Sequence, residues 1–208
     1  MTMKTRFAAQ WMLFAGLLAL AGCSVVPEPQ ADLTRYYVLA GSSNAATATS
    51  AENGLKLGLK KVTLPPYLEK GSIVIRRGEN ELSYNDYARW AEPLADGVAR
   101  LVRNHLLASP RVGQVFSEGF PFDQERDFDV AITINRCEGV RQGGTTVARF
   151  AAVVEITAPS ADGKLVTRRT FGPAEVAWDG RDYGALVQAL SSAVGSLGDE
   201  ILAILPTD

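Results

Sequence analysis

The sequence predicts an α+β fold, a two-layer sandwich in which a mostly antiparallel sheet carries two amphipathic helices on one face. Three observations lead there. Several runs alternate apolar and polar residues with a period of two, the mark of strands with one buried face. Two longer runs gather their apolar residues on a single side of a 3.6-residue period, so each is a helix with one face to bury. The order is strands, helix, three strands, helix, and helices with a single apolar stripe must lie against the sheet. No internal repeat and no second domain is visible.

The chain begins with residues 1–22, which read as a secretion signal. Lys4 and Arg6 are a short positive start, and residues 7–20 are almost wholly apolar. That stretch is shorter than the roughly 20 apolar residues needed to cross a bilayer, so cleavage is favoured over spanning. It ends in Leu20-Ala21-Gly22-Cys23, which resembles the bacterial lipobox, where small residues precede a cysteine that receives diacylglycerol and an N-acyl chain. The alternative is an ordinary signal peptide with a chance cysteine. Ser24 follows, and the resemblance implies the outer membrane, since an aspartate at that place tends to retain such proteins at the inner membrane. Residues 23–34 are a tether with Pro27 and Pro29, unable to form helix and reaching roughly 35 Å when extended.

Residues 35–208 form the folded domain. Residues 35–40 (RYYVLA) are a short strand and residues 41–54 a small-residue loop expected to be mobile. Leu55, Leu57 and Leu59 alternate with Lys56, Gly58 and Lys60, a half-buried strand that stops at Pro65-Pro66. Residues 73–77 and 81–84 flank Gly78-Glu79-Asn80 as a hairpin. A helix comes next, with Trp90, Leu94, Val98, Leu101, Val102 and Leu106 on one face and Pro93 in its first turn. Phe128, Val130, Ile132 and Ile134 mark the next strand, and Ala148, Phe150, Ala152, Val154 and Ile156 the one after Gly143-Gly144. Residues 158–163 (APSADG) turn the chain into residues 164–177, a strand interrupted at Gly172-Pro173. The closing helix carries Leu186, Leu190, Ala193, Val194, Leu197, Ile201, Ile204 and Leu205 on one face, with Asp182 as its N-cap.

Composition suits one domain with a sizeable core, 47% hydrophobic and 21% charged. Losing Lys4 and Arg6 with the signal leaves 19 of 21 basic residues against 23 acidic ones, a balance that points away from nucleic acid. With Cys23 lipidated, Cys137 has no partner for a disulfide. Its parity sets it opposite Phe128–Ile134, and it reads as inert. His105, the single histidine, falls in the apolar stripe of the first helix and reads as a hydrogen-bonded core residue. Asp123, Glu125, Asp127 and Asp129 crowd together without an apolar pocket and read as a solvated loop. Gly143-Gly144 lies between strands and is a turn, not a phosphate cradle. No catalytic constellation, metal set or cofactor motif emerges. Arg35, Arg76, Arg77, Arg136, Arg149, Arg168 and Arg169 recur on or beside strands. They keep an uncovered sheet face soluble or else form a docking surface.

Four segments carry a family resemblance: Arg35-Tyr36-Tyr37-Val38-Leu39, Leu64-Pro65-Pro66-Tyr67-Leu68-Glu69-Lys70, Ile73-Val74-Ile75-Arg76 and Arg89-Trp90-Ala91-Glu92-Pro93-Leu94. Together they resemble the ABC-type transport auxiliary lipoproteins, the paraquat-inducible protein C family. Beyond Arg126 the likeness rests on element order. It implies an enzymatically inactive outer-membrane lipoprotein that works with an MCE-domain periplasmic protein and an inner-membrane transport component to move lipid between membranes and maintain the envelope. A homo-oligomer is compatible with it. Tyr67, Leu68 and Trp90 are read first as fold-forming and second as aromatic and aliphatic anchors for a partner, and Arg149 and Arg168 as the charged part of such a surface. Two rivals stand beside this reading: an envelope-assembly or cell-wall lipoprotein with another partner, and a periplasmic carrier with lipid in its own core.

Overall fold

The computed structural model describes residues 31–41, 53–121, 123–160 and 162–206. It falls into two units, Met1–Leu33 and Thr34–Asp208. The secretion signal, Cys23, most of the tether and most of the 41–54 loop lie outside the described residues.

In the second unit the strands are β1 (Arg35–Tyr37), β2 (Leu55–Leu59), β3 (Ser72–Arg77), β4 (Glu81–Trp90), β5 (Val112–Ser117), β6 (Phe128–Gln142), β7 (Thr145–Thr157), β8 (Leu165–Phe171) and β9 (Val176–Ala177). The helices are α1 (Leu94–Leu107) and α2 (Tyr183–Ile204). β6 is the strand on which the others are built. Along one edge it pairs antiparallel with β7 over nearly its whole length, from Asp129 opposite Thr157 to Gln142 opposite Thr145. The other edge is shared. β2 runs parallel beside its start, Leu57 with Phe128 and Leu59 with Val130, and β3 runs parallel beside its end, Ile75 with Gly139. A single bridge between Thr63 and Thr133 spans the interval. β5 extends the sheet beyond β2, β4 and β1 extend it beyond β3, and β8 and β9 share the far edge of β7. The longest ladders are antiparallel, as the alternation predicts. The parallel pairings on β6 and the strand β5 were not visible in the sequence.

Both helices pack against each other and onto the same side of the sheet, α1 over β5 and α2 over β7. The predicted stripes form the core: Val98, Val102, Leu186, Val194, Leu197 and Ile201 face Ile132, Ile134, Val154 and Ile156, all 0–1% exposed. Each such side chain contributes about 1.5–3 kcal/mol by leaving water. Asp182 caps α2 as predicted, its Oδ1 accepting from the N–H groups of Gly184 at 2.8 Å and Ala185 at 3.2 Å. Gly143 and Gly144 turn between β6 and β7 with φ of 57° and 84°, a left-handed pair that glycine adopts without strain.

Several expectations are corrected. Trp90 is not on a helix: it ends β4, paired with Tyr37, and α1 begins only at Leu94 after the Pro93 cap. Proline at 93 has no N–H to give the ladder and stops the strand. The interruption expected at Gly172-Pro173 is present and divides residues 164–177 into β8 and β9, each paired with β7. A register shift between Ile134 and Arg136 makes Asn135 a bulge, which reverses the parity of the rest of β6. Cys137 is therefore opposite Phe150 on the core side, 1% exposed, instead of on the other face. His105 is only half-buried, at the seam between the helices, where Nε2 lies 2.7 Å from Asp199 Oδ1. Asp129 leaves the solvated loop: it is 5% exposed and held by Arg126, whose Nε lies 2.5 Å from Oδ1.

Candidate docking face

On the side of the sheet away from the helices, strand alternation brings Arg76 from β3, Arg136 and Glu138 from β6, and Arg149 from β7 onto one surface. The register sets Arg136 opposite Ala151 and Glu138 opposite Arg149, while Cys137 and Phe150 turn to the core. Glu138 is fully buried. Arg76 donates to it from Nε at 2.6 Å and Nη2 at 3.4 Å, and Arg136 from Nη1 at 2.9 Å. The bonded Glu138 carboxylate holds Arg76 above its ordinary pKa. Two guanidiniums on one carboxylate satisfy a charge that burial alone would strongly disfavour.

This part of the face is covered by no helix but by the Leu64-Pro65-Pro66-Tyr67-Leu68 segment. Pro66–Leu68 is a single 3-10 turn with proline in its first position. The Tyr67 ring lies 5.6 Å from the Arg76 guanidinium, and its hydroxyl donates to the Asn135 carbonyl at 3.1 Å, so the bulge residue anchors the segment. Burial, with the nearby Glu138 charge behind it, pushes the Tyr67 hydroxyl up to about 12. Leu68 points inward and is 1% exposed.

Towards β8 the face opens. Arg149 Nε meets Glu175 Oε1 at 2.6 Å, and Arg168 Nε meets Glu155 Oε1 at 3.5 Å across the β7–β8 pairing. Arg168 is 63% exposed. Arg169 turns the other way and reaches Glu200 of α2 at 3.3 Å. Of the residues singled out in the sequence, Tyr67, Arg149 and Arg168 share this face. Leu68 and Trp90 belong to the core, where they offer a partner no surface, and Cys23 lies outside the described residues. The Arg76–Glu138–Arg136 cluster was missed. Its one sequence signal was an Arg-Cys-Glu alternation inside an apolar strand, and the bulge concealed which way it faced.

The arrangement is a charged sheet face of paired side chains, sealed at the Tyr67 end and exposed towards β8. Among the described residues no group of three or more metal-ligating side chains converges. Cys137 is sealed in the core, its thiol pushed up to about 12 by burial and secondarily by Glu138. A groove of about 650 Å³ lies on the helix side, between α1 and the β2 and β5 strands. Its floor is Leu59, Val62 and Val115, and Lys61, Arg100 and Arg103 stand at its rim. Among the described residues no helix is long and apolar enough to cross a membrane.

The fold is that of an α+β domain whose sheet carries both helices on one side and a charged, helix-free face on the other. Residues 37–202 match the model of the ABC-type transport auxiliary lipoprotein component, and the chain belongs to that family. It is a lipid-anchored protein of the periplasmic face of the outer membrane and a non-catalytic auxiliary part of an MCE/ABC-type transport system that serves the envelope. The fold is similar to solved structures of low identity. One is a protein from Xanthomonas campestris, 19% identical over 81% of this chain and 90% of that one, with a TM-score of 0.62. A second, an uncharacterized protein, is 16% identical over 82% and 97%, with a TM-score of 0.64. A third, a hypothetical protein from Chlamydia trachomatis, is 10% identical over 72% and 94%, with a TM-score of 0.50. No curated protein matches the sequence.

Proposed function

We propose that the helix-free face of the sheet, from Tyr67 across Arg149 to Arg168, receives the periplasmic MCE-domain protein of the transport system and so ties it to the outer membrane. The inner-membrane component then stands at the far end of the path. The observation that supports this reading is a charged, partly exposed sheet face that neither helix covers. Rows of paired charges suit a partner chosen by electrostatic complementarity, which sets specificity and encounter rate more than raw affinity. The test is Arg149→Glu with Arg168→Glu. Pull-down of the MCE-domain partner should fall at least tenfold while circular dichroism is unchanged. Undiminished capture assigns these arginines to keeping an open sheet face soluble, and loss of a self-assembled species in place of partner capture assigns the face to a second copy of this chain.

A carrier role is the second reading, and the groove beside α1 is the observation that favours it, since its volume falls in the roughly 300–1,000 Å³ range of ligand pockets. Purified protein that extracts phospholipid from vesicles stoichiometrically, without its partner, would establish it.

A further inference from the structure

β1 and β4 form one margin of the sheet, and their register fixes which side chains share a face. Tyr37 is opposite Trp90 and both turn inward, so Tyr36, opposite Arg89, turns outward with it. Val38 lies two residues after Tyr36, just past the end of β1, and Tyr87 two residues before Arg89 on β4, so both stand on the same outer side, on either side of the Tyr36–Arg89 pair. Tyr36 is 63% exposed, Tyr87 60% and Val38 46%. Single exposed apolar side chains are ordinary, but three spread along one face of the same sheet margin are not. Arg89 is exposed on the same outer side, opposite Tyr36, with its Nη2 beside Gly71, and Lys70 reaches 4.6 Å over the ring of Tyr84, while Arg35 is exposed on the alternate side of β1. Asp86 and Glu69 are exposed nearby, so charge alone does not define the patch.

Its place in the chain selects the occupant. β1 begins 12 residues after the acylated Cys23, so the patch is always within a tether's reach of the leaflet that holds the acyl chains. A tether of this length imposes an effective concentration on the order of millimolar. A patch of very weak intrinsic affinity is then substantially occupied. Tyrosine suits such a boundary, with an apolar ring and a hydroxyl that stays among headgroups, and arginine and lysine bury their stems while the charge remains in water.

We propose that Tyr36, Val38 and Tyr87, with Arg89 and Lys70 on the same margin, are where the domain rests on the phospholipid leaflet that carries its own lipid anchor. The inference rests on the lipid-anchored reading of the chain and is independent of how the opposite margin binds a partner.

The test uses the mature lipidated protein in vesicles of phosphatidylethanolamine and phosphatidylglycerol, with brominated acyl chains as quencher and less than one protein per vesicle. Tyr36→Trp, Tyr87→Trp and Leu165→Trp each add one reporter at an exposed site, the last on β8 at the far margin, against a background of the buried Trp90 and Trp178. Brominated lipid should quench the reporters at 36 and 87 at least twofold more than the one at 165. Equal quenching at all three, or none at 36 and 87, overturns the proposal. Quenching there that depends on packing several proteins into each vesicle overturns it in favour of a second copy. Protein that does not co-float with vesicles overturns the anchor itself, a failure separable from that of the patch.

Discussion

Glu138 and Arg76 meet on the open side of the sheet with Nε and Oε1 2.6 Å apart, the carboxylate wholly buried and the guanidinium 11% exposed. Removing one partner from such a pair leaves the other charge without compensation, at a cost of about 3–5 kcal/mol. Glu138→Ala is expected to lower unfolding stability by that amount in urea titrations. Arg76→Met combined with Glu138→Leu, which removes both charges, should recover most of it. Equal damage from the single and the double change would mean that side-chain shape rather than charge holds this part of the face.

Gly198 of α2 lies directly beneath His105 of α1. A Cβ at 198 would stand 2.5 Å from His105 Cδ2 and 2.7 Å from Cγ. Gly198→Ala should therefore cost about 1–3 kcal/mol by overpacking, although alanine favours helix over glycine by up to about 1 kcal/mol. In a His105→Ala background the same change should become neutral or stabilising, which a four-protein thermodynamic cycle measures directly. His105→Ala alone should shift the melting temperature and leave partner capture intact.

Tyr67 and Cys137 both have native pKa values near 12, raised from 10.0 and 9.0 by burial and then by Glu138. Each group is neutral when protonated, and the unfolded chain loses these protons first. Stability is thus undiminished below about pH 9 and falls as pH climbs towards 12. Urea midpoints between pH 8 and pH 11.5 should show the decline, and Tyr67→Phe should remove part of the slope above pH 10. At pH 8 the Cys137 thiol should resist an aromatic disulfide reagent until denaturant is added.

Cys23→Ala should release the protein from the outer membrane, since a proline-containing peptide has no membrane affinity comparable with that of several acyl chains. Fractionation decides it. Sedimentation of the variant with outer membranes in high salt would show another dominant anchor.

The core was legible because its signal is periodic. The stripes of α1 and α2 and the alternation of β6 and β7 each repeat one decision many times, and Asp182 announced the start of α2. The features that escaped were set by single residues or by distant pairing. The bulge at Asn135 reversed the parity of Arg136, Cys137 and Glu138 without any change of composition. β5 has too few apolar residues to alternate convincingly, and it exists because β2 lends it a parallel neighbour. Trp90 sat at helical spacing from Leu94, yet its backbone was already committed to pairing with Tyr37. Among the candidate site residues, Arg149 and Arg168 were readable from strand parity, whereas the burial of Leu68 depended on where a proline-stiffened turn lands against the sheet.

β6, shared by β2, β3 and β7, also decides how this domain bears load. A pull between the membrane and a partner held on the β7–β8 side enters at β1 and crosses β4, β3 and β6 in turn before it leaves. Two joints on that route are short, three residue pairs each between β1 and β4 and between β3 and β6, and the last before the exit is the long β6–β7 ladder. A tug strong enough to break anything therefore parts the sheet at one of these short parallel joints on the tether side of β6 and lengthens the leash, while the β6–β7 ladder stays zipped.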